Sequence, residues 1–547
     1  MESPLSMSSP TESRIERALL LVVTLLLSGT LAAFAPLPAQ TEHNLGDVGA
    51  FPEWSKVEIS FAGPDSQALS TDANPFKITV DVVFVAPNRQ AFVVPAFYDG
   101  DGNGGLDGNV WRVRFSPNMA GAWSFASISS DSLLSGYTGT FAVTHSSDCA
   151  AYTPGRLPNF DCAGRLRYIE GEHYWRFADG TYWLKGGANE PEDFLAPEQN
   201  VGFASKTEAM DYLAQLGVNS LYILLDNVGG DHNNVWPWIG STAGEARAND
   251  EHFDVAKLVE WESIFTQLQD RGIVLHLVLE DDSAWTGFNR EMYYREMVAR
   301  FSHHNGLFWN ISEEYNESYS PDEIKAFADM LLMFDPYNHP VTVHHMESTS
   351  NWEPFVGDSR FQATSLQTGP TPQNRAAINW RQIVADSGHT IPISFDETGL
   401  IAASDRELAR HILWSVYLGG ATFELHSSPM TSYREFAELF GDMHIARTLI
   451  EQWPYWQMEP ENEVLTSGSG YVLGEAGEVY IIYLPEGGGA EIELPSDGTF
   501  EVNWYRPDTG DQIAGNPVTG PGRQSLGEPP SDTTQDWVII VNKLSSG

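Results

Sequence analysis

The chain has 547 residues, of which 42% are hydrophobic and 12% aromatic, a composition typical of a folded protein and not of a disordered one. Lysine and arginine together number 30 against 74 aspartate and glutamate residues, so the net charge at pH 7 is −44. Such a charge repels phosphate backbones and anionic lipid surfaces, which argues against nucleic acid as a partner. The length exceeds what one hydrophobic core usually serves and predicts several domains.

Residues 1–40 have the layout of a signal peptide, with Arg14 and Arg17 before the apolar run ALLLVVTLLL and small residues after it. This layout predicts export, so that the protein is secreted, periplasmic or at the cell surface. A membrane anchor is the alternative, because cleavage after Ala35 would leave Pro36 first. The membrane is an expected partner only if this segment is retained.

The chain has only two cysteines, Cys149 and Cys162, within a Pro/Gly/Asn-rich linker at residues 148–165. In an exported protein, two cysteines this close predict a disulfide. Their spacing fits no zinc motif, and no other metal signature is found, so we expect no metal site.

Short alternating segments separated by turn residues occur at both ends of the chain. Residues 47–147 include KVEISFAG, PFKITVDVVFV and NVWRVRFSP, and residues 460–545 include EVYIIYLP, TFEVNWYRPDTG and DWVIIVN. This pattern predicts an antiparallel β-sandwich in each region.

Residues 166–456 instead alternate apolar strands with amphipathic helical segments. The eight predicted strands are YWLKGGAN, SLYILLDN, IVLHLVLE, GLFWNIS, VTVHHMES, FQATSLQT, IPISFDET and ATFELHSS. Helical segments lie between most of them, and the weakest connection is the short NWEPFVGDSR after the fifth strand. Eight strands in this order predict a central (β/α)8 TIM barrel, and hence a multidomain α/β plus β protein.

Acidic residues follow most of these strands. The fourth strand, GLFWNIS, runs into EEYNE, and the seventh ends in Asp396 and Glu397. Strands one, two, three and five end in Asn189 and Glu190, Asp226 and Asn227, Glu280 to Asp282, and His344 to Glu347. In a (β/α)8 barrel these positions form the face that carries the reacting groups. Carboxylates on strands four and seven would flank a bound sugar, as the acid and the nucleophile of a glycosidase do.

The barrel resembles the clan A glycoside hydrolases, whose fourth strand carries a W-x-x-x-N-E type motif and whose seventh strand ends in a nucleophilic glutamate. Trp309 to Glu314 match that spacing, with Glu313 at the asparagine position, and ISFDETG matches the seventh-strand element. The resemblance implies that Glu314 is the acid/base and Glu397 the nucleophile. Because side chains alternate along a strand, Glu313 and Glu314 cannot both point inward from regular geometry. Exchanged roles within each acidic pair, Glu313 for Glu314 and Asp396 for Glu397, stay open.

The whole chain resembles bacterial proteins in which a leading β-sandwich, a glycosidase-like barrel and a trailing sandwich of the "putative collagen-binding" type occur together. WRVRFSPNMAGAWSF is similar to the leading domain, WNISEEYNE to the barrel element, and VNWYRPDTG with DWVIIV to the trailing domain. The inherited name of the trailing domain supports no claim that this protein binds collagen.

Further residues are expected to contact substrate. The resemblance places His344 where such barrels carry a histidine on strand five. It also places Glu313 where such barrels carry the asparagine whose amide contacts the sugar 2-hydroxyl. Asn189 stands at the exit of the first strand. The loops after strands two, three and five contain four tryptophans, of which we expect some to stack on sugar rings and the rest to pack, namely Trp236, Trp238, Trp285 and Trp352.

The sequence therefore predicts an exported glycoside hydrolase that cleaves a poly- or oligosaccharide, with retention of configuration and without a cofactor. Two alternatives remain: a non-catalytic carbohydrate-binding or cell-surface protein, supported by the altered asparagine, and a metal-dependent hydrolase built on the acidic exits of strands one to three.

Overall fold

The structure is a computed structural model that describes residues 43–147, 149–230, 233–283, 285, 287–346, 348–427 and 430–544. The predicted signal peptide or anchor, residues 1–40, lies outside this range. Within the described ranges, no helix has the length and apolar character needed to cross a membrane.

The N-terminal region is all β, as its alternating pattern predicts. Its seven strands form one continuous sheet. The first and seventh strands in chain order pair in parallel, and all other neighbours are antiparallel. Alternate residues of Tyr137–Thr144 are buried, and aromatic side chains such as Phe84, Phe115 and Trp123 pack inside. The strands are His43–Pro52, Val57–Ser66, Val80–Val85, Ala91–Tyr98, Gly108–Phe115, Gly121–Ser129 and Tyr137–Thr144.

The central region contains an eight-stranded parallel sheet whose neighbours follow chain order. The first strand pairs with the eighth, and an isolated parallel bridge between His344 and Ser365 joins the chain beyond strand five to that before strand six. The curled sheet therefore fits a barrel with β regions on either side. Each predicted strand contains one observed strand: Gly186–Ala188, Ser220–Leu224, Val274–Glu280, Leu307–Ser312, Val341–Thr342, Leu366–Gln367, Ser394–Glu397 and Thr422–Leu425.

Helices connect these strands, except that a 3-10 stretch, Thr349–Phe355, occupies the weak connection after strand five. The α-helices are Lys206–Gln215, Ala243–Ala248, Val255–Asp270, Arg290–Phe301, Pro321–Phe334, Asn374–Asp386, Arg406–Tyr417 and Ala437–Ile450.

The helix Pro321–Phe334 shows how local sequence sets these elements. Ser320 and Glu323 form a reciprocal capping box at its start, and proline occupies the first turn, where no backbone donor is needed. Ile324 and Ala328 lie one turn apart on the buried face. The helix therefore begins where the capping signal stands and packs by its apolar stripe.

The C-terminal region is an antiparallel sheet built around the long strand Ala490–Tyr505, which pairs with four other strands. Trp504 and Trp537 lie in its core, and a buried ion pair between Arg410 and Asp536 joins it to the central region. The strands are Glu459–Pro460, Leu465–Ser467, Tyr471–Glu475, Val479–Leu484, Ala490–Tyr505, Gln512–Ala514, Val518–Gly527 and Trp537–Lys543.

The linker before the central region contains the predicted disulfide, which is confirmed between Cys149 and Cys162. Cys162 lies in the short helix Phe160–Ala163. The hydroxyl of Tyr152 and the backbone N–H of Gly155 both donate to the carboxylate of Glu451, at the end of the last central helix. The disulfide therefore closes a loop that is also held against the central region.

Candidate active site

A pocket of about 290 Å³ opens where the parallel strands end. Side chains at or after the ends of all eight strands meet there. The described residues that line it are Asn189, Glu190, Glu192, Leu224, Asn227, Asp282, Glu313, Glu314, Met346, Gln367, Glu397, Leu400 and His426. Six of these are carboxylates, so the acidic strand exits converge on one cavity.

The fourth strand delivers two adjacent glutamates to this pocket, contrary to the expectation that only one could point inward. The strand ends at Ser312, and Glu314 has a backbone φ of +27°. This positive φ interrupts the alternation of a regular strand, so Glu313 and Glu314 both line the cavity. Positive φ is uncommon for a residue other than glycine, and such strain clusters at functional sites.

Glu397 has two imidazole rings close to its carboxylate. The Nε2 of His344 lies 3.2 Å from one of its oxygens, and the Nδ1 of His426 lies 3.3 Å from the other. Burial alone would raise the pKa of Glu397, but the hydrogen bonds from His344 and Gln367 and the charge of His426 lower it to about 2. Glu397 is therefore held as an anion.

Glu313 has the opposite environment. It is buried, its Oε2 has no hydrogen-bond partner among the described residues, and the nearest basic atom is the Nε2 of His344, 3.6 Å from Oε1. Burial raises its pKa well above the usual range, and the neighbouring Glu192, Glu314 and Glu397 raise it further. Glu313 therefore favours its protonated form.

Glu314 is half-buried and accepts a hydrogen bond of 2.6 Å from the side-chain amide of Gln367. Burial raises its pKa, and the charge of His344 and this hydrogen bond only partly offset that shift. Glu313 and Glu314 thus favour their protonated forms, and both lie near Glu397, which favours the anion.

These groups lie close together. One oxygen each from Glu313, Glu314 and Glu397 and one nitrogen of His344 all lie within 4.8 Å of one another. The same four residues could hold a cation, since carboxylate and imidazole are common metal ligands. His344 itself is fully buried beneath the carboxylates, and its Nδ1 lies 3.0 Å from the hydroxyl of Ser365.

Asp396, the neighbour of Glu397, lies in the barrel interior and not in the pocket. It is fully buried against the ammonium of Lys185. Lys185 also lies 3.4 Å from Glu424, which accepts hydrogen bonds from the hydroxyl of Ser220 and the Nδ1 of His276. Of the two acidic residues at this exit, only Glu397 reaches the cavity.

A polar chain connects this interior cluster to the pocket. The side-chain amide of Asn310 donates to the Nε2 of His276, which leaves the proton of that neutral ring on Nδ1, facing Glu424. The amide oxygen of Asn310 accepts the backbone N–H of His344. Burial and the charge of Lys185 lower the pKa of His276 well below its usual value. The interior cluster thus orients the histidine that contacts Glu397.

The predicted tryptophan platforms are not part of the pocket wall. The expectation of substrate contact is wrong for Trp238, whose side chain is fully buried among aromatic neighbours and has no face open to a sugar. Trp352 is also fully buried among aromatic neighbours and is one of the tryptophans that pack. Trp236 and Trp285 are half-buried. The indole of Trp236 lies under the ammonium of Lys257, and that of Trp285 packs against Trp238. Asn189, in contrast, lines the cavity as expected.

Several pocket residues were missed at the sequence level. His426 bridges Glu190 and Glu397, with its Nε2 3.4 Å from Glu190. Burial would lower its pKa, but the hydrogen bond with Glu190 and the charge of Glu397 raise it. Gln367 contacts Glu314. Both residues lie near the ends of predicted strands, in LQT and ELHSS. Neither is acidic, so neither carries the feature that marks the other candidate residues at the strand ends.

Other acidic exits have structural roles. Glu280 pairs with Arg290 through both carboxylate oxygens and accepts from the hydroxyls of Tyr294 and Tyr319. Asp281 accepts the backbone N–H groups of two residues in the loop after strand two, Gly229 and Gly230. Glu280 and Asp281 are therefore satisfied within the fold, whereas Asp282, at the same exit, lines the pocket, and the buried Oδ1 of Asp226 has no hydrogen-bond partner among the described residues.

Two family models match the ends of the chain. Residues 50–130 match a domain of unknown function, DUF5060, and residues 465–542 match a family described as "Putative collagen-binding domain of a collagenase". A comparison with curated proteins found no match.

Solved structures similar to this chain include glycoside hydrolases. One, described as a "putative glycoside hydrolase" from Bacteroides vulgatus ATCC 8482, has a TM-score of 0.67 at 18% identity and covers 90% of this chain and 100% of its own. A family 5 glycoside hydrolase from the same organism has a TM-score of 0.55 at 13% identity and covers 74% of this chain and 96% of its own. A third, described as a glycoside hydrolase, has a TM-score of 0.55 at 14% identity, over 73% of this chain and 100% of its own. At these identities the likeness shows a shared fold, that of glycoside hydrolases.

Proposed function

We propose that this protein is an exported glycoside hydrolase that acts with retention of configuration. The observation that carries the proposal is the pocket's close group of carboxyls, in which Glu397 has a lowered pKa and Glu314 a raised one. Two carboxyls with opposite pKa shifts, flanking a cavity, are the requirement for protonating a leaving group while a second group attacks.

In this mechanism Glu397 attacks the anomeric carbon while Glu314 donates its proton to the glycosidic oxygen. The leaving alcohol departs and a covalent glycosyl ester with Glu397 remains. Glu314, now an anion, takes a proton from water, and the resulting attack on the anomeric carbon releases the sugar and regenerates both groups. The donors on Glu397 keep it anionic before attack, and Gln367 orients Glu314.

Retention is supported by the spacing of the carboxyls. Retaining enzymes hold the two groups about 5–5.5 Å apart, whereas inverting enzymes leave about 6.5–9.5 Å for a water molecule. One oxygen of Glu314 and one of Glu397 lie within 4.8 Å of one another, which is compatible with the shorter spacing. Export is supported by the signal-like N-terminal segment and by the disulfide.

Glu314 is assigned as the acid/base because it is the more exposed of the two adjacent glutamates and can meet both the leaving group and the incoming water. Glu313 lies deeper and is the alternative donor, since its pKa is raised more strongly. Variants distinguish them: azide, a nucleophile that needs no general base, should take the place of water and restore turnover in the acid/base variant but not in the other of these two, giving a glycosyl azide of retained configuration.

The test is digestion of a panel of polysaccharides and aryl glycosides by the wild type and by Glu314→Gln, Glu313→Gln and Glu397→Gln, with new reducing ends as the readout. Glu407→Gln is the matched control, because Glu407 is 72% exposed on the helix after strand seven. We expect release by the wild type and the control, and loss of at least a thousandfold in Glu397→Gln. No release from any substrate, with retained binding to one, would instead support a carbohydrate-binding protein.

A further inference from the structure

The wall of the candidate active site is strongly acidic. Its six carboxylates are Glu190, Glu192, Asp282, Glu313, Glu314 and Glu397. The lining contains neither lysine nor arginine among the residues that the structure describes, and its one basic side chain is His426. The nearest buried lysine, Lys185, already contacts two carboxylates of its own below the pocket. A ligand therefore meets a negative potential.

Glu313 is a group in this wall to which the described residues supply few donors. Its Oε2 is buried without a hydrogen-bond partner among the described residues, and only His344 approaches Oε1, at 3.6 Å. Glu397, by comparison, has His344, His426 and Gln367 around it. A buried carboxyl that lacks a donor is costly unless a ligand provides one.

The charge of the wall discriminates among sugars. A uronic acid or a sulfated sugar would bring a like charge into the cavity, which is unfavourable in a partly desolvated site. An ammonium group brings three donors and the complementary charge. The cavity of about 290 Å³ lies at the lower limit of ligand pockets, about 300–1,000 Å³. It therefore suits a small group such as a sugar ring with one charged substituent.

We propose that the sugar bound in this pocket is an amino sugar with a free, protonated amine directed at Glu313. This inference rests on the proposed function, because it names the substrate class of the same site. An N-acetylated sugar lacks the charge and most of the donors, and a neutral sugar offers only hydroxyls. The amine would attract the ionised form of Glu313 and so counteract the burial and the neighbouring carboxylates that otherwise favour its protonated form.

The first test is binding, which needs no turnover. D-Glucosamine, D-galactosamine and D-mannosamine are titrated calorimetrically at pH 6 against their neutral parents and their N-acetyl forms, in low and high salt. We expect at least one amino sugar to bind at least tenfold more tightly than its parent. High salt should narrow the difference, since screening weakens charge attraction. Equal or weaker binding by every amino sugar, including no binding, would overturn the inference.

Glu313→Gln tests the assigned partner, because it keeps the size of the side chain and removes its charge. The tenfold preference should fall to less than threefold in this variant and persist in the exposed control Glu407→Gln. If Glu313→Gln keeps the full preference, the amine is not directed at Glu313 and the inference fails. Melting temperatures of the three proteins verify that each is folded.

Hydrolysis then separates this inference from the proposed function. Release of reducing ends from glycosides of amino sugars, in preference to matched neutral glycosides, supports both. Hydrolysis of neutral glycosides with none of amino sugars overturns the substrate class and leaves the glycosidase intact. Selective binding of amino sugars without hydrolysis of any glycoside overturns the glycosidase and supports the ligand class.

Discussion

Replacing Lys185 by methionine should destabilise the central region strongly at neutral pH. The side chain of Lys185 is 2% exposed and contacts two carboxylates, Asp396 and Glu424, which are both fully buried. Removal of one partner from a buried ion pair typically costs about 3–5 kcal/mol, because the remaining charge is left uncompensated in a medium of low dielectric. At about 2–4 °C per kcal/mol for a large domain, the melting temperature should fall by roughly 6–20 °C.

The loss should shrink as the pH falls. Burial raises the pKa of Glu424 in the folded protein, and Lys185 offers the largest opposing influence. In Lys185→Met this pKa rises further, so the folded variant takes up a proton at a pH where the unfolded chain does not. A carboxyl whose pKa is higher in the folded than in the unfolded protein binds its proton more tightly in the folded state. The free energy of unfolding therefore increases as the pH falls from the folded pKa to the unfolded pKa, near 4.3. We therefore expect a smaller difference from the wild type at pH 5 than at pH 8.

Scanning calorimetry of the wild type, Lys185→Met and the control Lys77→Met at both pH values measures these differences. Lys77 is 51% exposed and pairs with Glu251 at the surface, so its loss should cost at most about 1 kcal/mol. In the double variant Lys185→Met with Glu424→Gln, the pH dependence should be smaller than in Lys185→Met, because Glu424 no longer titrates while Asp396 remains a buried carboxyl without its lysine. A decrease in melting temperature of less than 2 °C in Lys185→Met, or one that does not change with pH, would refute the reasoning.

Three further predictions concern the site and its supports. The value of kcat/KM should fall as the pH rises through the raised pKa of Glu314, because the acid must be protonated. Glu397, with a pKa of about 2, should cause no loss of kcat/KM down to pH 4. A pH–rate profile measures both effects. Replacing Cys149 and Cys162 by alanine should cost about 3 kcal/mol, because their disulfide spans 13 positions, and treatment of the wild type with reductant should produce the same decrease in melting temperature. Trp238→Ala should cost about 3–5 kcal/mol through the cavity left in a fully buried cluster, with an unchanged KM in the protein that remains folded.

The order of elements follows from local sequence. Alternating segments predict the β regions, and apolar runs between amphipathic helices predict the eight parallel strands that the structure contains. Local pattern sufficed because strand and helix periodicities are properties of neighbouring residues. The carboxylates Glu313, Glu314 and Glu397 could likewise be found, since parallel strands place their carboxyl ends on one face.

Side-chain direction and partnership depended on the tertiary structure. The sequence does not show that a positive φ at Glu314 brings two adjacent glutamates into one pocket, or that Asp396 turns to Lys185 while Glu397 turns to His344. Lys185 and Asp396 are 211 positions apart, and no local pattern links them. The expected sugar contact of Trp238 fails for the same reason. Whether an indole stacks on a ligand or packs in a core depends on which distant side chains cover it. The sequence by itself therefore determined the order of the elements and the acidic residues at the strand ends, and the packing of residues distant in sequence decided which side chains enter the pocket, their partners and their protonation.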